Sequence, residues 1–304
     1  MVAAVFTYTY IAATFSNVMR IRAVSINNYE IVRGERGDRG NEPLGHIYPF
    51  VRNDDGALNM EVISPNHGRS FLLKKDNDFH WIIGKGNGLS YSTQTSVITS
   101  FYDSDTWGRL SLKQAIRDFD IGTEIATLGI KTNRMEYVLS LPFDVVFNGK
   151  EEKAALLQYS VECPYRIVDF AFIPKRLLNA NIANWKPIRN MDADVPKHLI
   201  ASDRLFCNLS LLHKNGVLHN AITPQNYTWA LELVDFEASH TPSNPFGTKQ
   251  YQSYIPMLMD MEIIQTYEII NYIAWCLNEE CDYAAIEQIM NSYNFTLKQY
   301  HDVF

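Results

Sequence analysis

Cysteine is scarce in this sequence of 304 residues, with only Cys163, Cys207, Cys276 and Cys281. Four are too few to staple a disulfide scaffold of this length. Only Cys276 and Cys281 are close in sequence, and no His or Cys stands around them at zinc-ligand spacing, which excludes a zinc ribbon or finger. A reducing, cytoplasmic setting is the expectation. Long hydrophobic runs are missing too. The stretch Val2–Phe15 is largely apolar but lacks a basic start. Its alternation of Phe6, Tyr8 and Tyr10 with Thr7 and Thr9 reads as a strand with one buried face rather than a signal peptide. No later stretch is long enough to span a bilayer, so no membrane partner is expected. Positive charge is in deficit, with 27 Lys and Arg against 34 Asp and Glu. The clusters Arg33–Arg39 and Lys175-Arg176 make no phosphate-backbone track, so nucleic acid is not an expected partner. A Gly-x-Ser-x-Gly elbow, a Walker loop and a metalloprotease helix are all absent, which removes three large enzyme classes.

What is present is an apolar fraction of 46%, enough for one large domain or two lobes sharing a cleft. The first half is rich in strand signals: Ile21–Val32, Phe71–Lys74, His80–Ile83, Met135–Ser140 and Val145–Phe147 are short β-branched or aromatic runs punctuated by Gly, Asn, Asp and Pro. Between them, Arg33–Asn41 reads as an exposed glycine-containing loop. One helix interrupts the strands over Leu112–Leu128, with Leu112, Ile116 and Phe119 on one face, Gly129 as its stop and Gly122 as a point that could split it. The second half is mainly helical, at Pro196–His213, Ile255–Leu277 and Tyr283–Tyr293. This order predicts an α+β, bilobal fold, with a strand-rich N-lobe over residues 1–150 and a helical C-lobe over 151–304. The boundary is expected within Leu141–Gln158.

The chemistry concentrates in Leu211–Ser239, which reads LLHKNGVLHNAITPQNYTWALELVDFEAS. A helix ends near His213 and is stopped by Asn215-Gly216. The short apolar run Val217-Leu218 leads into His219 and a loop ending in Pro224-Gln225-Asn226. Two short strands, Tyr227–Ala230 and Glu232–Val234, then return Asp235 beside Asn226. An Asn amide and an Asp carboxylate brought together by a tight hairpin offer oxygen ligands to Mg²⁺, which in phosphoryl transfer bridges nucleotide phosphates. The string HNAITPQN follows the protein-kinase pattern H-R-D-L-x-x-x-N at His219 and Asn226, and VDFE follows D-F-G at Asp235 and Phe236. Ala221 stands in place of the catalytic Asp, and Glu237 in place of the Gly. The fold class this predicts is protein-kinase-like.

Three further strings lie upstream: KGNGLSYS at Lys85–Ser92, GRLSLKQAIRDF at Gly108–Phe119 and LGIKTNR at Leu128–Arg134. With the later segment they resemble the selenoprotein O family, kinase-like proteins that move AMP from ATP onto protein hydroxyls. The resemblance covers about Trp81–Arg134 and Val217–Glu237. It implies ATP and Mg²⁺ as cofactors, with Lys85 and the adjoining Gly86 at the ATP phosphates. Asp118 would pair with Lys85 where the family has a Glu, and Asn226 and Asp235 would bind metal. Asp is a methylene shorter than Glu, so the pair is expected to be looser or water-bridged. Gln225 takes the place of the family's proposed catalytic Asp and cannot accept a proton at neutral pH. The arginines that hold ATP reversed in that family correspond to Val161 and Val168, with Arg166 close by.

Several residues keep two readings. Lys85 is a nucleotide ligand or a hairpin lysine in water. Arg109 and Arg117 bind phosphates or bridge the lobes. His240 reads as an exposed loop residue, and Tyr272 and Trp275 as core. His46, His67 and His80 have no paired carboxylates at ligand spacing, and Asp103 and Asp105 form an acidic loop. The function expected is an ATP-dependent transferase acting on a protein or small-molecule acceptor. The alternative is a pseudokinase serving as a nucleotide-binding or interaction module.

Overall fold

The computed structural model describes residues 19–25, 28–34, 43, 46–47, 58–62, 70–75, 81–87, 109–147, 150–192 and 194–296. The expected strand at Phe6–Tyr10, most of the loop Arg33–Asn41, and His67, His80, Asp103 and Asp105 lie outside the described residues. Strands β1 (Met19–Ser25), β3 (His46–Ile47) and β4 (Leu58–Val62) form a three-stranded antiparallel sheet in the order β3-β1-β4. The larger sheet runs β2 (Glu30–Arg33), β8 (Arg134–Phe147), β9 (Lys150–Val161), β6 (Trp81–Lys85), β5 (Ser70–Lys75), with the short β7 (Leu110–Ser111) also paired to β9. The helices are α1 (Leu112–Thr127), α2 (Lys175–Ala183), α3 (Lys197–Lys214), α4 (Lys249–Ser253), α5 (Ile255–Leu277) and α6 (Tyr283–Ser292). This is the α+β architecture the sequence predicts, strand-rich first and helical after.

Two differences from the expectation have plain physical causes. Met135–Ser140 and Val145–Phe147 are parts of one strand, β8, whose register against β9 shifts between Ser140 and Asp144. Pro142 lies in that interval and has no N–H to give the ladder, so the strand bulges there instead of ending. Strand β9 escaped notice because its second half is buried at every position from Ala154 to Val161, without the alternation that marks a one-sided strand. It hydrogen-bonds to β8, β6 and β7. The sheet therefore continues through Leu141–Gln158, and Val161 is its last residue.

Helix α1 is the element that sets up the site. Its start is fixed by a capping box: the Gln114 N–H donates to Ser111 Oγ at 3.3 Å and the Ser111 N–H donates to Gln114 Oε1 at 3.1 Å. Its end is set by Gly129, in the left-handed region at φ +79°. Gly122 does not split it. A Cβ there would fall 2.8 Å from the Phe236 ring and closer still to the Met135 methyl, so the glycine lets Phe236 lie against the helix. Leu112, Ile116 and Phe119 are only half-buried, over the sheet. The most buried stripe is Ala115, Asp118, Ile121, Gly122 and Ile125. Ala115 joins the sheet core with Ile83, Leu157 and Val161, while Ile121 and Ile125 join the helical core with Phe206, Trp229 and Phe236. A carboxylate in the middle of that stripe, Asp118, sits where the two cores meet.

Candidate nucleotide and metal site

Lys85 closes β6 and points inward at 3% exposure, which removes the reading of a hairpin lysine in water. Its ammonium donates to Asp118 Oδ2 at 2.6 Å, to Asp235 Oδ1, and lies 3.3 Å from Glu237 Oε2. The Lys85–Asp118 contact is direct. The shorter Asp reaches the lysine with no bridging group between them. The other Asp118 oxygen accepts the Phe236 N–H at 2.9 Å. One carboxylate therefore ties the strand lysine to the backbone of the Asp235-Phe236 turn.

Electrostatically the site is over-supplied with negative charge. Asp118, Asp235 and Glu237 bring carboxylate oxygens within 4.8 Å of one another, around one ammonium. Burial raises the Asp118 carboxyl above the usual carboxylate range, against the pull of Lys85 and with a further push from Asp235 and Glu237. An oxygen-only donor set with excess negative charge suits a hard divalent cation such as Mg²⁺. Asp235 has the backbone of a residue held in place, with φ +73° in the left-handed region.

The loop from His219 to Asp235 is built from backbone hydrogen bonds. The Val234 N–H donates to Asn226 O at 3.0 Å, and Tyr227 bridges Leu233, so a tight hairpin does return Asp235 beside Asn226. That hairpin docks on its neighbours: Leu233 N–H donates to Lys131 O at 2.9 Å, and Trp229 N–H to Tyr165 O at 3.0 Å. His219 is fully buried, its Nε2 at 3.0 Å from the Val234 carbonyl and its ring edge-on to Phe236. A carbonyl only accepts, so Nε2 carries the hydrogen, and burial lowers the imidazole below its ordinary value. Ile222 is buried as the loop's apolar anchor.

Asn226 uses both ends of its amide. Nδ2 donates to Ala221 O at 2.9 Å, and Oδ1 accepts from Arg166 Nη1 at 3.1 Å. Arg166 also donates to the Gln225 carbonyl. The Gln225 side chain is exposed, and Ala221 is half-buried, so neither position offers a proton acceptor. Val161 is buried in the sheet core and Val168 is exposed.

Gly86, Arg109 and Arg117 each make contacts of their own beside this cluster. Gly86 has φ +91°, and a Cβ there would meet Ala155 O at 2.7 Å; its requirement is a close turn against β9. Arg109 donates to Asn87 O at 2.9 Å and lies over the Phe143 ring, and desolvation lowers its guanidinium to about 10. Arg117 takes the bridging role: it donates to Glu237 O at 3.0 Å, to Ser239 O, and to both oxygens of Asn244. His240 is buried rather than exposed, its Nδ1 accepting the Phe246 N–H at 3.1 Å. Trp275 is 67% exposed, not core, with its ring tilted against that of Tyr272.

No family model and no curated protein sequence matches this chain. Among solved structures it is similar to the kinase domain of a Toxoplasma gondii specific rhoptry antigen, at 10% identity and a TM-score of 0.39, covering 90% of this chain and 79% of that one. The sheet, α1, the strand lysine and the hairpin described above give the chain a kinase-like fold on its own geometry.

Sequence reasoning passed over two residues that the structure brings in, Glu262 and Tyr159. Glu262 of α5 is buried; its Oε1 accepts the Asn220 N–H at 2.7 Å and its Oε2 pairs with His213 Nε2 at 2.9 Å. It holds Asn220 in the left-handed region at φ +65°, the residue right after His219. Tyr159 of β9 is buried within electrostatic reach of Arg166, Lys85, Asp235 and Asp118, and burial raises its phenol. Glu237, which stands in place of the kinase Gly, brings a third carboxylate to Lys85. A charged residue inside the apolar period of α5 was the available signal for Glu262.

Proposed function

We propose that this chain is an ATP–Mg²⁺-dependent transferase of kinase-like fold, moving AMP or phosphate onto a protein or small-molecule acceptor. The observation that carries the reading is the buried linkage Lys85–Asp118–Phe236 N–H, which holds a cation for nucleotide phosphates in register with Asp235. In this reading the N-lobe is the large sheet with α1, and the C-lobe is the helical remainder. Lys85 exchanges its contact with Asp235 for phosphate oxygens while Asp118 keeps it aimed. Asp235, with Glu237 and Asp118 beside it, would hold Mg²⁺, which when bound neutralises charge on the phosphates. His219 and Glu262 keep the loop's backbone fixed, so positioning and electrostatics do most of the work. The AMP-transfer version rests on the sequence resemblance to the selenoprotein O family, and its partners, like a cytoplasmic site of action, belong to the same proposal.

Ala221 and Gln225 favour a second reading, a nucleotide-binding module without transfer. ATP labelled separately on the α- and γ-phosphates, with Mg²⁺ and a lysate of candidate acceptors, separates the two. Label arriving from α indicates AMP transfer and label from γ indicates kinase action. Transfer of neither, with ATP binding retained, contradicts the transferase reading and leaves the module.

A further inference from the structure

The cations of the site are divided. Lys85 serves Asp118, Asp235 and Glu237, and Arg166 serves Asn226. Arg166 is not a surface residue that drifted in. It is 7% exposed, its N–H donates to Asp169 Oδ2 at 2.9 Å, it bridges Thr228, and the next residue, Ile167, donates to Tyr227 O at 2.8 Å. The segment that carries the guanidinium is thus bolted to the hairpin that carries Asn226.

The orientation of the Asn226 amide is fixed by its neighbours. Ala221 O only accepts, so it must face Nδ2; the guanidinium only donates, so it must face Oδ1. Turned round, the amide would set oxygen against oxygen and nitrogen against nitrogen. The oxygen that a kinase-type site would offer to a divalent ion is therefore the one that Arg166 holds. An ion at a ligand distance of about 2.1 Å from that oxygen would sit close to a rigid, buried positive charge. Like charges at that range repel strongly where little water screens them.

Resting on the nucleotide-site reading above, we propose that the Arg166 guanidinium stands where one of two divalent cations would sit. Kinase-type sites use two, one on the D-F-G Asp and one on the loop Asn. Here Asn226 is a positioning residue for Arg166, and the nucleotide is held with one divalent ion, at Asp118, Asp235 and Glu237. The device suits Arg, whose Nη1 alone donates to the Gln225 carbonyl and to Asn226 Oδ1 while the delocalised guanidinium stays charged.

The test counts Mn²⁺ bound per chain by paramagnetic resonance in the presence of a non-hydrolysable ATP analogue. One ion is expected in the wild type and still one in Asn226→Ala. Arg166→Met, which frees the Asn226 oxygen, is expected to take up a second, weaker ion, while Arg166→Lys stays at one. Two ions in the wild type, falling to one in Asn226→Ala, overturn the assignment to Arg166 and leave the nucleotide site standing. No Mn²⁺ bound to the wild type overturns the nucleotide-site reading and this inference with it. The wild-type count needs no variant, so the proposal stays exposed to refutation if Arg166→Met does not fold.

Discussion

The Phe236 N–H donates to Asp118 Oδ1 at 2.9 Å, joining a helix of the strand-rich half to a turn of the helical half. Because the other Asp118 oxygen holds Lys85, this residue is a structural tie and an electrostatic one together. Asp118→Ala leaves Lys85 buried against two partners and strips the Phe236 N–H of its acceptor. The expected loss is about 1–3 kcal/mol of unfolding free energy, from the buried Phe236 N–H left without its acceptor while Lys85 keeps two carboxylates. Asp118→Glu adds a methylene to a fully packed spot and is expected to cost about 1–3 kcal/mol. Urea denaturation measures both losses, and an Asp118→Ala variant as stable as the wild type would remove Asp118 as a tie.

Gly122→Ala tests the close approach of Phe236 to α1. The new Cβ would meet the Phe236 ring and the Met135 methyl inside normal contact. The methionine end can swing away, but the ring is wedged beside His219. A destabilisation of about 1–3 kcal/mol is expected, despite alanine's better helix propensity. A variant more stable than wild type by thermal melting would show that Phe236 does not need the space.

Glu232 gives the fold a pH dependence. It is fully buried between Thr228 and the backbone of Glu162 and Cys163, and desolvation raises its carboxyl to about 7. With the folded value above the unfolded one, the folded state binds the extra proton. Its stabilising effect is fully present below the unfolded value and is lost as pH rises through about 7. The size is on the order of 3 kcal/mol. Melting temperature measured from pH 5 to pH 8 is expected to fall in the wild type and to fall less in Glu232→Gln. Parallel profiles would remove Glu232 as the cause.

The proposed Mg²⁺ site would carry a proton dependence of its own. A cation takes only deprotonated carboxylates, and Asp118 is raised by burial and by its acidic neighbours. Affinity for Mg²⁺ is therefore expected to weaken as pH is lowered toward the carboxylate range. Calorimetry in buffers of different ionisation enthalpy should detect protons released on binding. Affinity flat with pH would argue that the cluster is not the metal site.

Much of this was legible in the residues. Helices α1, α3, α5 and α6 fall within about a residue of where apolar period and stop signals put them, and α5 spans Ile255–Leu277 as read. The hairpin pairing Asn226 with Asp235 followed from its flanking turns. Strand β9 did not, since burial on both faces erases alternation, and α2 did not, being only nine residues long. The burial of His240 and exposure of Trp275 depend on which side of an element meets another, and periodicity within one segment carries no such information. Arg166 reached Asn226 across 60 positions of sequence, a contact that only the docking of the hairpin on Tyr165 and Ile167 creates.

Lys85, Asp118 and Asp235 are together proposed to bind ATP with Mg²⁺. The most direct measurement is the thermal shift of the protein on adding ATP with Mg²⁺, with ATP in EDTA, and with Asp235→Ala in place of the wild type. A magnesium-dependent rise in melting temperature that Asp235→Ala abolishes is the predicted result. An equal rise in Asp235→Ala, or none in the wild type at millimolar ATP, would contradict the account.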